Sequence, residues 1–339
     1  MNNKRNYKYL LSVIPAFLVI AGNLQGGWWV AMNVIFSLGI LAILENFVPD
    51  NKDNLQGIND WFPDSLLMIH VLLQPLCLGT MIWSVTTYNY NFLQLILLAL
   101  STGINSGGSA IVIAHELVHR KSKFMRASGI FLLFSAANIY FYIDHLKVHH
   151  KWVGTKQDPA TARYRENLYS FFIRSTFQQI SSSFNVEAKR LKAIDRSPWS
   201  LRNFVVASVV LQLILWSALF WYFGPMVLLA YLLQGFFANF LLEYTNYIEH
   251  YGLTRNDNER VTEIHSWQSD RVISRYFLID LSRHADHHYY ASKPYHTLLS
   301  YEKSPVLPGG YVSMIYYALF PPLFFRKMHS LIKEKSLHE

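Results

Sequence analysis

Apolar stretches long enough to cross a bilayer constrain this chain more than any other feature. At 1.5 Å per residue, a helix needs about twenty apolar residues to span the hydrocarbon core. Four runs meet that length, residues 65–85, 92–113, 203–222 and 226–246. Two shorter ones, 9–21 and 28–43, are split by Asn23-Leu24-Gln25-Gly26-Gly27 and read as a hairpin that crosses and returns. With 52% apolar and 15% charged residues, the composition excludes an ordinary soluble globule. The expectation is an all-α integral membrane protein of about six transmembrane helices, forming one domain over residues 1–339.

The first apolar run carries Pro15 and no small-residue cleavage site, so the amino-terminus is expected to stay rather than leave as a signal peptide. Cys77 is the single cysteine and sits in an apolar run, which rules out a disulfide framework or a thiolate-bound iron site. The net charge of +8 orients the chain. Loops 23–27, 86–91 and 223–225 carry no Lys or Arg. Lys4, Arg5 and Lys8 precede the first run, Arg120, Lys121, Lys123 and Arg126 follow the fourth, and Arg326, Lys327, Lys333 and Lys335 lie in the tail. By the positive-inside rule both termini face the cytoplasm. These charges are scattered over loops with no nucleic-acid motif, so no nucleic-acid partner is expected.

Two hydrophilic blocks on that side, 115–202 and 250–310, hold eleven of the fourteen histidines. Crossing at the apolar stretch 127–142 would put His115 and His145 on opposite sides of the membrane, so it reads as a helix buried at the interface or in the core. Stretch 311–325, broken by Pro321-Pro322, reads likewise as a packed or monotopic helix.

The histidines fall into four groups. His115 and His119 are four residues apart on a continuing helix and present both rings on one face. His145 and His149 repeat that spacing, with His150 turned about 100° from His149 and able to serve a second metal. His250 stands where the sixth run leaves the membrane, and His284, His287 and His288 offer a further helical face. Clustered imidazoles would repel one another if charged, and a metal is the economical reason to gather them. Nine imidazoles exceed the needs of one tetrahedral zinc, and imidazole also suits iron, so two irons would use them.

Each group has a neighbouring carboxylate, Glu116, Asp144, Glu249 or Asp286, able to take a free ring N–H, or to be an ordinary solvated acid. His265 reads as a pocket residue near the metal ligands. His70, His296, His329 and His338 read as structural or solvated. His115-Glu116-Leu117-Val118-His119 also matches the zinc-protease pattern, with Glu116 as the base, but that reading gives the other histidines nothing to do. Glu116-x-x-His119 would fit half of a ferritin-like carboxylate site, yet no second Glu-x-x-His occurs.

His115 to Arg120, His145 to His150 and Leu281 to His288 resemble the three histidine boxes of the membrane fatty acid desaturases and hydroxylases. Asn246-Tyr247-Ile248-Glu249-His250-Tyr251-Gly252-Leu253 is similar to the signature that separates the bacterial alkane 1-monooxygenases from desaturases, and Asp158-Pro159-Ala160-Thr161-Ala162-Arg163 is also similar to that family. Arg120 stands where Lys is common in the family and Ser282 where Gln is frequent, which leaves the metal site intact and the substrate open.

The resemblance implies a non-haem di-iron enzyme of the bacterial inner membrane. Such an enzyme uses O2 to hydroxylate the terminal carbon of a medium- or long-chain alkane, with electrons from rubredoxin and rubredoxin reductase. Related enzymes act on aromatic methyl groups or acyl chains. Small residues such as Ser37 and Gly39 would either leave room for a long chain or serve helix packing.

Overall fold

The computed structural model describes residues 3–54 and 61–338, with side chains from 6 to 54 and 61 to 333. The side chains of Lys4, Arg5, Lys335 and His338 lie outside the described residues. Among the described residues there are helices and two isolated bridges but no strands.

Among the described residues, six helices are long and apolar enough to cross a membrane: α1 (Asn6–Gln25), α2 (Gly27–Leu44), α3 (Trp61–Thr87), α4 (Phe92–Val118), α8 (Phe204–Phe223) and α9 (Pro225–His250). They match the six expected runs, and α4 and α9 outrun their apolar stretches. At 27 residues α4 is ~40 Å long against a hydrocarbon core of about 30 Å. Its last turns and those of α9 therefore stand clear of the core, and they carry His115 and His250.

Between α4 and α8 lie α5 (Lys123–Ser135), α6 (residues 141–152) and the 25-residue α7 (Leu168–Lys192). The apolar stretch 127–142 is thus two helices, not one. They part where Ala137 takes φ 56°, which ends α5 and turns the chain into α6. After α9 come α10 (Val272–Phe277), α11 (His284–Tyr289), α12 (Tyr311–Ala318) and α13 (Pro321–His338). The stretch 311–325 is likewise divided at the Pro pair, and neither piece reaches spanning length as an apolar helix.

The axis of the bundle is the seam between α4 and α9. Between lipid-embedded helices close contact must come from shape, since lipid is as apolar as leucine. Gly103 and Gly107, one turn apart on α4, supply it: a Cβ on Gly103 would lie 2.8 Å from the Gln234 carbonyl oxygen, and one on Gly107 3.0 Å from that of Ala238. Buried polar side chains then key the helices together. Gln74 Nε2 donates to Ser106 Oγ at 2.9 Å, Ser106 Oγ to Gln234 Oε1 at 2.9 Å, and Gln234 Nε2 to the Ser135 carbonyl at 3.2 Å. His70 is buried between Ser12 Oγ (2.8 Å) and Ser109 Oγ (2.7 Å), the structural role expected of it.

Segment 251–310 has little regular structure and is fixed instead by two buried arginines. Arg275 pairs with Asp280 at 2.6 Å and reaches Asn51 Oδ1 at 2.8 Å. Arg283 faces Asp270 at 3.4 Å and donates to the carbonyls of Leu298 (2.8 Å) and Asp53 (3.0 Å). Because Arg283 immediately precedes His284, this anchoring sets where α11 begins.

Candidate metal centre

All nine candidate histidines converge at the ends of α4 and α9, in two adjoining clusters. Nitrogens of His115, His119, His145 and His287 lie within 4.8 Å of one another, and so do those of His149, His250, His284 and His288. His150 belongs with the first set: its Nε2 is 3.2 Å from His119, 3.0 Å from His145 and 3.1 Å from His287, each measured to Nε2. The clusters touch, with the rings of His150 and His288 4.7 Å apart.

The sharing of histidines within one element differs from a simple helical reading. The four-residue spacing predicts a pair of His145 and His149, with His150 set apart. The structure joins His145 to His150 and sends His149 to the other cluster. The cause is local: 145–149 is a π-helical turn, in which i→i+5 bonding brings residues five apart onto one face. On α11, His287 turns to the first cluster while His284 and His288, 2.9 Å apart at Nε2, turn to the second.

Imidazole nitrogens this close cannot satisfy one another. The Nε2 atoms of His119, His145 and His150 are mutually 2.9, 3.0 and 3.2 Å apart, yet a neutral ring nitrogen carries either one proton or one lone pair. Separations near 3 Å are those of neighbouring ligands on one metal with bonds of about 2.0–2.1 Å. Nε2 of His115 and of His250 are buried with no hydrogen-bond partner among the described residues, which an ion would supply. The donor set is therefore that of a metal centre.

Electrostatics favour the ligand form. Burial first, and neighbouring imidazoles second, hold His145, His150, His284, His287 and His288 well below the ordinary imidazole range. Burial and His149 take His119 down to about 4. These rings stay neutral at physiological pH, with lone pairs free for a metal. His149 is the exception. Burial, the largest single influence, opposes its charge, but the Asp158 carboxylate with Asp144 and Glu243 together draw the pKa up, and His149 in turn lowers that of Asp158.

That pair is the main feature that spacing alone did not reveal. Asp158 Oδ2 lies 2.9 Å from His149 Nδ1 and accepts a second bond from Thr161 Oγ1 at 2.6 Å, so it fixes the ring and leaves Nε2 for the cluster. Asp158 sits nine residues downstream in a loop, where no periodicity links it to His149. Ser266 Oγ likewise lies 3.2 Å from His250 Nδ1.

The four carboxylates expected beside the histidines have different surroundings. Glu249 Oε2 lies 3.1 Å from His284 Nε2, and Tyr311 donates to Oε1 at 2.8 Å. Glu116 is taken by Arg120 at 2.8 Å, which withholds it from the role of a protease base. Asp144 accepts from Ser182 at 2.5 Å, and burial pushes it up to about 8. Asp286 is held by Lys293 (2.5 Å), Tyr301 (2.8 Å) and the Leu299 amide (2.7 Å), bracing α11 rather than a ring nitrogen. His265 takes the Thr262 amide on Nδ1 at 3.0 Å and faces Glu259 at 3.6 Å, while its backbone bonds to His250.

Below the clusters, among the spans, is an apolar cavity. A second, smaller cavity reaches His115, His145, His284 and Glu249. Gly107, Val112, Thr245 and Leu281 line both, so the two adjoin across a shared wall. Two further π-helical turns, Ile35–Ile40 and Ser106–Ile111, contribute Ser37, Leu38, Gly107, Gly108 and Ser109 to the larger wall.

The family model described as fatty acid desaturase matches residues 90–318. Alkane 1-monooxygenase 1 of Alcanivorax borkumensis is 32% identical over 98% of this chain and 86% of its own length. Alkane 1-monooxygenase 1 of Pseudomonas aeruginosa is 34% identical over 94% of this chain and 89% of its own. The hydroxylase component of xylene/toluene monooxygenase of Pseudomonas putida is 26% identical over 94% and 86%.

Proposed function

Since this chain belongs to the alkane 1-monooxygenase family, within the wider fatty acid desaturase group, we propose that it is a di-iron alkane hydroxylase whose two imidazole clusters each hold one iron. The observation that carries this reading is the division of nine imidazoles into two adjoining sets at the end of an apolar cavity. When bound, the irons supply the activation of O2 by which one oxygen atom enters a terminal C–H bond and the other leaves as water.

The ligands on this reading are His115, His119, His145, His150 and His287 for one ion, and His149, His250, His284 and His288 for the other. Asp158 orients His149, and Glu249 stands beside His284 with its far oxygen tied to Tyr311. The cavity wall takes an extended apolar chain out of the lipid, keeps water from the reacting carbon and directs one end of the chain to the clusters.

Electrons come from a small carrier, rubredoxin, with its reductase. The protein lies in the bacterial inner membrane with termini and metal centre toward the cytoplasm, as its basic loops favour. His119 and His150 are the least buried of the clustered rings, and the exposed Lys121, Lys147 and Lys151 follow or flank them in sequence, which suits an acidic partner.

Product analysis tests the reading. Membranes containing the protein, supplied with rubredoxin, reductase and NADH, are given n-alkanes, xylene and fatty acids. Primary alkanols are the expected product. Benzylic alcohols or modified acids would keep the metal centre and reassign the substrate, and zinc in place of iron would overturn the reading.

A further inference from the structure

The apolar cavity has six polar side chains in its wall, and five of them spend their protons within the protein. Ser37 bonds to Asn33 Oδ1 (2.8 Å), Ser109 to His70 (2.7 Å), Thr245 to the Leu241 carbonyl (2.9 Å), Tyr244 to the Tyr311 carbonyl (2.5 Å) and Tyr311 to Glu249 (2.8 Å). The sixth is Asn105, 2% exposed, whose Oδ1 is buried without a partner among the described residues.

The polarity of a hydrogen-bond chain fixes which end of that amide is left over. The Ser135 carbonyl can only accept, so Gln234 must turn Nε2 to it and Oε1 to Ser106. Ser106 then donates to Gln234 and accepts from Gln74 Nε2, and Gln74 Oε1 accepts from Asn105 Nδ2 at 3.2 Å. Every proton in the chain is passed toward Ser135. The unpaired atom at its other end is therefore an acceptor, and what completes it must bring an O–H or N–H.

We propose that Asn105 is a recognition point for a hydroxyl group, and that the enzyme takes primary alkanols with the hydroxyl held at Asn105 and the methyl end at the metal centre. The proposal rests on the hydroxylase reading above. Asn105 and His115 are ten residues apart on α4, ~15 Å along its axis, so the two ends of one extended chain would meet different walls of the adjoining cavities. The chemistry is the same insertion applied to a different chain. One C–H bond, O2, two electrons from the carrier and two protons give one C–OH bond and water, and the alkanol becomes an α,ω-diol.

The test uses the full-length protein in membranes with its electron carriers and offers three chains of equal length: an n-alkane, a primary alkanol, and a methyl ether that lacks the donor proton. Diol is expected from the alkanol, with kcat/KM about five- to tenfold above that of the ether for methyl-end hydroxylation, the value of one hydrogen bond. In Asn105→Leu that ratio is expected to fall toward one. Equal wild-type rates for alkanol and ether, as when a resident water satisfies Oδ1, would overturn the proposal. So would oxidation at the hydroxyl-bearing carbon, or a ratio that survives in Asn105→Leu. If the variant does not accumulate, the wild-type ratio decides. Alkane turnover with no diol rejects the hydroxyl site and leaves the hydroxylase standing, whereas no turnover of any chain rejects both.

Discussion

At the scale of single residues, the site depends on nitrogens that burial keeps neutral and on a few groups that hold them in place. His→Ala at His115, His149, His250 or His287 is expected to lower bound iron and abolish hydroxylation, read by iron analysis and product yield. Retained iron and turnover after His250→Ala would remove a ligand from the second set. Asp158→Asn keeps the shape but loses the carboxylate that fixes His149. Loss of such an outer partner costs roughly 10- to 100-fold in metal affinity, and chelator competition measures it. Affinity unchanged in Asp158→Asn would mean that packing alone orients His149.

At the scale of elements, α4 and α9 are each long and apolar enough to cross the bilayer, and each ends in a histidine of the clusters. The close approach of the two helices rests on Gly103 and Gly107, so a larger side chain there is expected to shift the histidines at their ends. Gly103→Val would force the seam apart at a cost of about 1–3 kcal/mol. The expected result is a lower melting temperature in detergent together with reduced iron occupancy. A variant with full stability and full iron would show that the clusters do not depend on this contact. The π turn at His145–His149 is the other element that matters, because it hands neighbouring histidines to different clusters.

At the scale of the whole molecule, apolar cavity, metal centre and basic surface follow one another from the spans outward. With a net charge of +8 and exposed lysines beside the partly buried His119 and His150 in sequence, carrier docking should be electrostatic. The kcat/KM for rubredoxin is expected to fall several-fold between about 50 and 200 mM salt, since exposed charges are screened over a Debye length of about 10 Å at 0.1 M. Steady-state kinetics across that range give the answer, and a flat response would assign these lysines to topology alone.

The sequence by itself determined the six helices and the nine histidines that meet. Both are carried by local pattern: length of apolar run in one case, and dense imidazole spacing next to the ends of runs in the other. Only the tertiary structure decided how those histidines divide. The four-residue spacing of His145 and His149 predicts a pair on one metal, and the structure sets them in two clusters. Only the fold, too, brought Asp158 to His149, split 127–142 at Ala137, gave Glu116 to Arg120, and lined up Asn105, Gln74, Ser106 and Gln234 so that one acceptor is left over. Each of these joins residues whose relation is distance in space or direction of a proton, and neither is written in periodicity along the chain.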